Sequence, residues 1–283
     1  MQNKTMGKAS MKLPFLNRLL VAILSLSCHL GKAQDTSRQP SAAGLDEAFS
    51  LDIGGFTNFV NNNYGRWSGG EAKIMYRGSR FSPSFNYAYQ RRPEGHQSTL
   101  GFDSYVNFNR WFYIAGGIGG APEGTAVLYP QLRYGVTGFL IVPGGKGLVA
   151  TLGASQVHGK DESYSRTLSA GALYYRGPAI VSGNISFNRA YPGAHPSKSG
   201  AMAIQFGAQN KYWLGAGMSG GKIAYQTISL DPLNVRFLTY GPNIFFQKWI
   251  TEKFGFTLKY DYQNQLEAFR RHGIAMNLFF EFQ

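Results

Sequence analysis

The sequence predicts an all-β fold: a transmembrane antiparallel up-and-down β-barrel of about fourteen strands, with twelve the alternative count. Three observations predict it. Apolar and polar residues alternate with period two through most of the chain, as they do on a two-faced strand. The alternating segments run nine to sixteen residues, whereas strands of globular proteins average about five or six. The connections between segments alternate between tight and long, as in barrels that carry short turns at one end and loops at the other.

Taken in order, the first element is a targeting segment. Lys4, Lys8, Lys12 and Arg18 precede an apolar run from Leu19 to about Leu30, too short to cross a bilayer as a helix, and Gly31-Lys32-Ala33 follows with small residues. Residues 1–33 read as a signal peptide cleaved after Ala33. Cys28 lacks the aliphatic residue three places before it that acylation favours, so removal with the signal is the expectation, leaving no thiol. Residues 34–48 are polar and aperiodic, a flexible periplasmic lead-in, and 49–283 is the barrel. Of the net charge of +13, the leader's five cations account for 5, which leaves +8 beyond it. Export and the lack of a basic run beyond Arg91-Arg92 and Arg270-Arg271 argue against nucleic acid and for a basic rim facing anionic lipid or sugar.

The strands are expected near 49–61, 65–77, 80–92, 96–108, 111–119, 127–141, 147–158, 164–176, 179–190, 198–209, 212–220, 233–248, 253–263 and 272–282. Tight turns at 77–80, 109–110, 143–146, 176–178 and 210–211 interleave with longer loops at 91–97, 119–126, 158–165, 191–199, 222–232 and 263–271. Two internal echoes, EAKIMYRGSR (71–80) with AGALYYRGPA (170–179) and RWFYIAGGIGG (110–120) with KYWLGAGMSGG (211–221), fit duplication of a half-barrel.

Alternation alone leaves open whether the apolar face meets a core or lipid. In FGFTLKYDYQ (254–263), Phe254, Phe256, Leu258, Tyr260 and Tyr262 share one parity. The signal, the strand length, tryptophans beside short turns (Trp111, Trp213, Trp249) and the ending HGIAMNLFFEFQ all favour lipid. Those three tryptophans are expected at the membrane interface. A sheet in lipid must close to satisfy its backbone.

The strand-turn-strand LSAGALYYRGPAIVSGNISF (168–187) and the final pair KFGFTLKYDYQ and IAMNLFFEF resemble the YaiO-type outer-membrane β-barrel proteins. The resemblance runs through most of the mature region. It implies a surface-exposed outer-membrane barrel without an established catalytic activity, and so supplies no set of functional residues.

Residues of the opposite parity are expected in the lumen: Asp52, Glu71, Lys73, Asp103, Arg133, Arg236, Lys259, Asp261 and Glu281. They form either a mutually neutralising plug or a charged wall that binds or passes a polar solute. Gly215-Ala216-Gly217-Met218-Ser219-Gly220 has the spacing of a dinucleotide fingerprint, but no helix pattern follows it. His96 with Ser98, and His158 with Asp161 and Ser163, lack a third orienting group for hydrolysis; His195 and His272 are loop-end histidines. The expectation is a non-enzymatic barrel with no cofactor and no metal site. Its partners are outer-membrane lipid and, in the finer reading, saccharide or other envelope proteins.

Overall fold

The computed structural model describes residues 48–61, 65–93, 95–122, 131–159, 164–193, 195–224, 236–266 and 269–282. The signal and nearly all of the lead-in lie outside them. Fourteen strands follow in chain order: β1 (Ala48–Val60), β2 (Gly65–Arg77), β3 (Phe81–Arg92), β4 (Gly95–Asn107), β5 (Phe112–Gly120), β6 (Leu132–Ile141) and β7 (Leu148–His158). Then come β8 (Tyr164–Arg176), β9 (Ala179–Tyr191), β10 (His195–Ala208), β11 (Tyr212–Ala224), β12 (Arg236–Trp249), β13 (Phe254–Gln265) and β14 (Phe269–Phe282). Each pairs antiparallel with its chain neighbours, and β14 returns to β1 to close the barrel. Closure leaves no unpaired edge, the condition a sheet must meet in hydrocarbon.

Register fixes which face is which. Leu51↔Ile74, Ile74↔Phe85, Phe85↔Phe102 and Phe102↔Ile118 place one apolar series side by side across β1 to β5. Ile74 and Phe85 of this series, and Leu152, Met202 and Ile274 farther round the outer wall, are 50–70% accessible in the isolated chain. The adjacent parity is enclosed, as in Asn58, Trp67, Gln90 and Gln97. Phe256, Leu258, Tyr260 and Tyr262 belong to the outer series, in register with Leu278, Met276, Ile274 and His272 of β14. The greasy side of FGFTLKYDYQ faces outward.

The tight turns close one end. Asn109 Oδ1 accepts from the backbone N–H of Trp111 (2.8 Å) and Phe112 (3.0 Å), which turns β4 into β5. Between β6 and β7 the backbone goes left-handed at Gly144, Lys146 and Gly147, conformations glycine adopts without steric cost.

The two sequence echoes do not survive as a duplication. Their offsets are odd, and β2, β5, β8 and β11 all point odd-numbered residues inward. Tyr76 therefore lies outside against Phe49, while its counterpart Tyr175 lies inside. Arg77 pairs inside with Glu281, while Arg176 is exposed. The shared feature is a turn chemistry that suits any hairpin.

Candidate functional site

The interior is divided by chemistry. Among the described residues, its charged side chains lie on an arc made by β1–β4, β6, β13 and β14. Asp52 stands opposite Lys73 across β1 and β2. Glu71 Oε1 accepts from Asn277 Nδ2 at 2.6 Å, and Asp103 Oδ2 accepts from Asn86 Nδ2 at 2.9 Å. Arg271 Nη2 reaches Asp261 Oδ2 at 2.6 Å; the arginine is 4% exposed and the aspartate 40%. Arg77 and Glu281 approach to 3.9 Å nearer the turn end. Arg133, in register with Gly119, and Lys259, in register with Ala275, complete the arc.

The opposite wall carries no charge among the described residues. From β7 to β12 its inward positions at mid-depth are Thr151, Gly153 and Ser155; Thr167, Ser169 and Gly171; Ser182, Asn184 and Ser186; Ser199 and Ala201; Gly217 and Ser219; Thr239, Gly241 and Asn243. Thr167 Oγ1 donates to Asn188 Oδ1 at 2.7 Å, one link in this hydroxyl–amide lining. Small side chains leave room here. Asn184 and Glu71 are exposed although they face inward, so the middle of the barrel is accessible to water.

Large side chains pack inside both ends. At the turn end, Tyr113, Phe139, Val149 and Leu173 form one buried cluster, and Ile180, Trp213, Phe245, Trp249 and Phe279 another. Tyr175 packs against both and joins them into a single tier. Tyr113 stacks on Phe139 at 4.5 Å, and Trp249 meets Phe279 edge-on at 5.0 Å. At the loop end of the charged side, Trp67 packs edge-on to Phe269 at 6.2 Å, and the Arg92 guanidinium sits 4.5 Å over Trp67. Gln97 and Gln265 are 1% exposed beside them. Among the described residues, the neutral wall runs from the loop end down to the aromatic tier.

The structure places Asp52, Glu71, Lys73, Asp103, Arg133, Lys259, Asp261 and Glu281 on inward positions, and joins Asp52 with Lys73 as cross-strand neighbours. Arg236 opens β12, and its side chain lies outside the described residues. The tryptophans divide. Trp111 lies in the β4–β5 turn, 38% exposed with Arg110 over its ring at 4.7 Å. Trp213 and Trp249 are corrections: at 8% and 4% exposure they belong to the inner tier, not to an interfacial girdle. Parity carried the signal, because Trp213 shares the Gly215, Gly217 and Ser219 series while Leu214, Ala216 and Met218 face out. Nearness to a turn fixes depth in the membrane but not face.

Sequence reasoning also passed over Arg92 and Arg271, reading each with its neighbour as a basic doublet. Each doublet splits across the wall, Arg91 and Arg270 outward and exposed, Arg92 and Arg271 inward and buried. Of the histidines, His96 lies 6.1 Å from Tyr89, and Ser98 Oγ is hydrogen-bonded to Tyr87 Oη at 2.9 Å. His158 is stacked between Tyr134 and Tyr164 at 6.0 and 5.8 Å, and Tyr260 Oη lies 2.9 Å from His272 Nδ1. Asp161, Ser163 and the side chain of His195 lie outside the described residues.

With this geometry in place, residues 49–226 match the family model described as the YaiO membrane β-barrel domain. Among solved structures, the chain is similar to one titled a bacterial polysaccharide outer membrane secretin, at 10% identity and a TM-score of 0.52, covering 83% of this chain and 98% of that one. It is also similar to the CymD monoaromatic hydrocarbon channel, at 10% identity and a TM-score of 0.51, covering 89% and 92%. These likenesses concern the barrel fold. No curated protein matches the sequence.

Proposed function

The chain belongs to the YaiO family of membrane β-barrels, and from that premise we propose that its lumen binds and passes a neutral polar solute of saccharide type, without catalysing a reaction on it. The protein resides in the bacterial outer membrane, with the long loops toward the cell surface and the tight turns toward the periplasm. Residues 1–33 direct export and leave, and residues 34–48 lead into the barrel.

The observation that carries this reading is the sorting of the lumen. A wall of Ser, Thr, Asn and Gly offers donors and acceptors without a fixed charge. Below it, ring faces in the Tyr113, Tyr175, Trp213 and Trp249 tier offer stacking surfaces for the C–H faces of a sugar. Glu71, Asp103, Asp261, Glu281, Arg77 and Arg271 of the opposite arc are engaged with one another or with amides, so they shape the passage more than they attract a charged cargo. Lumen residues of this kind set selectivity.

The test is electrical. Refolded protein in a planar bilayer should give single-channel steps that a neutral oligosaccharide such as maltohexaose interrupts, and a Trp213→Ala/Trp249→Ala variant should pass a larger current. A second reading has its own support: the aromatic tier runs unbroken through Tyr175, as a structural barrel with a plugged lumen requires. Absence of current from the parent and from the double variant alike selects that reading. Hydrolysis of a glycoside or peptide that vanishes in His96→Ala or His158→Ala would overturn the non-enzymatic assignment.

A further inference from the structure

The outer wall shows a separation of charge unrelated to the lumen. Among the described strand residues every carboxylate faces inward, whereas cations stand outside near the loop end. Three of these gather on adjacent strands. Arg166 of β8 is directly opposite Arg189 of β9, and Arg189 is opposite Pro196 of β10, which puts Lys198 at the next outward position of that strand. Like charges directly opposed across a ladder destabilise it, and diagonal neighbours lie about 7–8 Å apart. All three side chains are exposed.

The side chains are also held. The Arg166 guanidinium sits over Tyr164 at 5.3 Å and Tyr191 at 5.9 Å, Arg189 over Tyr191 at 6.0 Å, and the Lys198 ammonium over Phe187 at 5.5 Å. Tyr164 and Tyr191 are themselves stacked at 4.5 Å. Arg166 Nε donates to Gln156 Oε1 at 3.1 Å, a bond that engages Nε and not the terminal nitrogens. Depth supplies the remaining evidence. On the rim side of the two arginines lies the tyrosine stack; on the other, Leu168 and Phe187, 62% and 49% exposed, begin the apolar band, with Lys198 in register with Phe187 at its edge. Arg166 and Arg189 thus occupy headgroup depth, where an outward charge costs at most about 1 kcal/mol, and Lys198 borders it.

We propose that Arg166, Arg189 and Lys198 seat the phosphate of a lipid headgroup from the leaflet on the long-loop side. A phosphate between the two arginines replaces their repulsion with charge-assisted, bidentate hydrogen bonds, and its acyl chains lie along the Leu168–Phe187 surface. The ring contacts pre-set the guanidinium planes, so little side-chain freedom is lost on binding.

The full barrel, refolded in neutral-detergent micelles, is titrated with phosphatidic acid, phosphatidylcholine and inorganic phosphate, and bound lipid is read by native mass spectrometry. Phosphatidic acid should bind, and Arg166→Gln/Arg189→Gln should weaken it about tenfold or more. Arg176→Gln/Lys248→Gln, at the turn-end rim, should leave it within about twofold, as expected where screened rim charge alone acts. Without lipid, the Arg166→Gln/Arg189→Gln barrel should melt no lower than the parent, because the opposed charges are gone. Unchanged affinity in that variant, an equal loss in the turn-end variant, or equal binding of phosphatidylcholine overturns the site. Binding of inorganic phosphate as tight as that of phosphatidic acid overturns the lipid as its occupant.

Discussion

Gly215 of β11 is in register with Phe245 of β12, and the ring of Phe245 lies where a side chain at 215 would begin. Gly255 of β13 is filled in the same way by the ring of Phe279. These glycines let large aromatic rings lie flat against the inner wall, which is how a lumen of this width gains an apolar tier. The same fact accounts for Gly215, the first glycine of the nucleotide-like spacing. We expect Gly215→Ala to cost ~1–3 kcal/mol through overpacking, measured by urea unfolding in lipid vesicles, whereas Gly183→Ala, with room at that point, should cost less. A second residue-scale expectation concerns Arg271. It is 4% exposed and bound to Asp261, so Asp261→Asn, which leaves a buried guanidinium without its counter-charge, should cost ~2 kcal/mol. The water around the half-exposed carboxylate keeps that figure modest. If Asp261→Asn melts like the parent, the pair contributes nothing to holding β13 against β14.

At the scale of the strand, alternation governs everything. Leu152 is 70% exposed at the centre of β7, and Thr151 beside it faces in. Leu152→Lys should cost ~2–4 kcal/mol in a bilayer, and Thr151→Lys much less, because its ammonium would reach lumen water. Equal costs at the two positions would mean the faces of β7 are reversed. All fourteen strands were legible in sequence, with boundaries displaced by a few residues, because period two over ten or more residues has little else to signify. The β9–β10 and β13–β14 connections proved shorter than the sequence implied: β10 begins at His195 and β14 at Phe269. Polar residues at a strand's aqueous end look like loop although the ladder continues through them.

For the whole molecule, the decisive property is a closed wall with one charged and one neutral inner arc. If solute passes, Lys259→Glu should shift ion preference toward cations, since it reverses a charge on the wall; reversal-potential measurements in asymmetric salt check this, and an unaltered preference removes Lys259 from the pathway. Closure, strand count, the outward greasy face and the inward position of eight named ionisable residues followed from the sequence by itself, because a strand's periodicity reports its two faces without knowledge of its neighbours. Which inward residues meet was decided only in three dimensions. The pairing of Arg271 with Asp261 was one such outcome, as were the convergence of Trp213, Phe245, Trp249 and Phe279 from three strands and the opposition of Arg166 to Arg189. Those contacts depend on register and shear between strands, and alternation within any one strand carries no record of either.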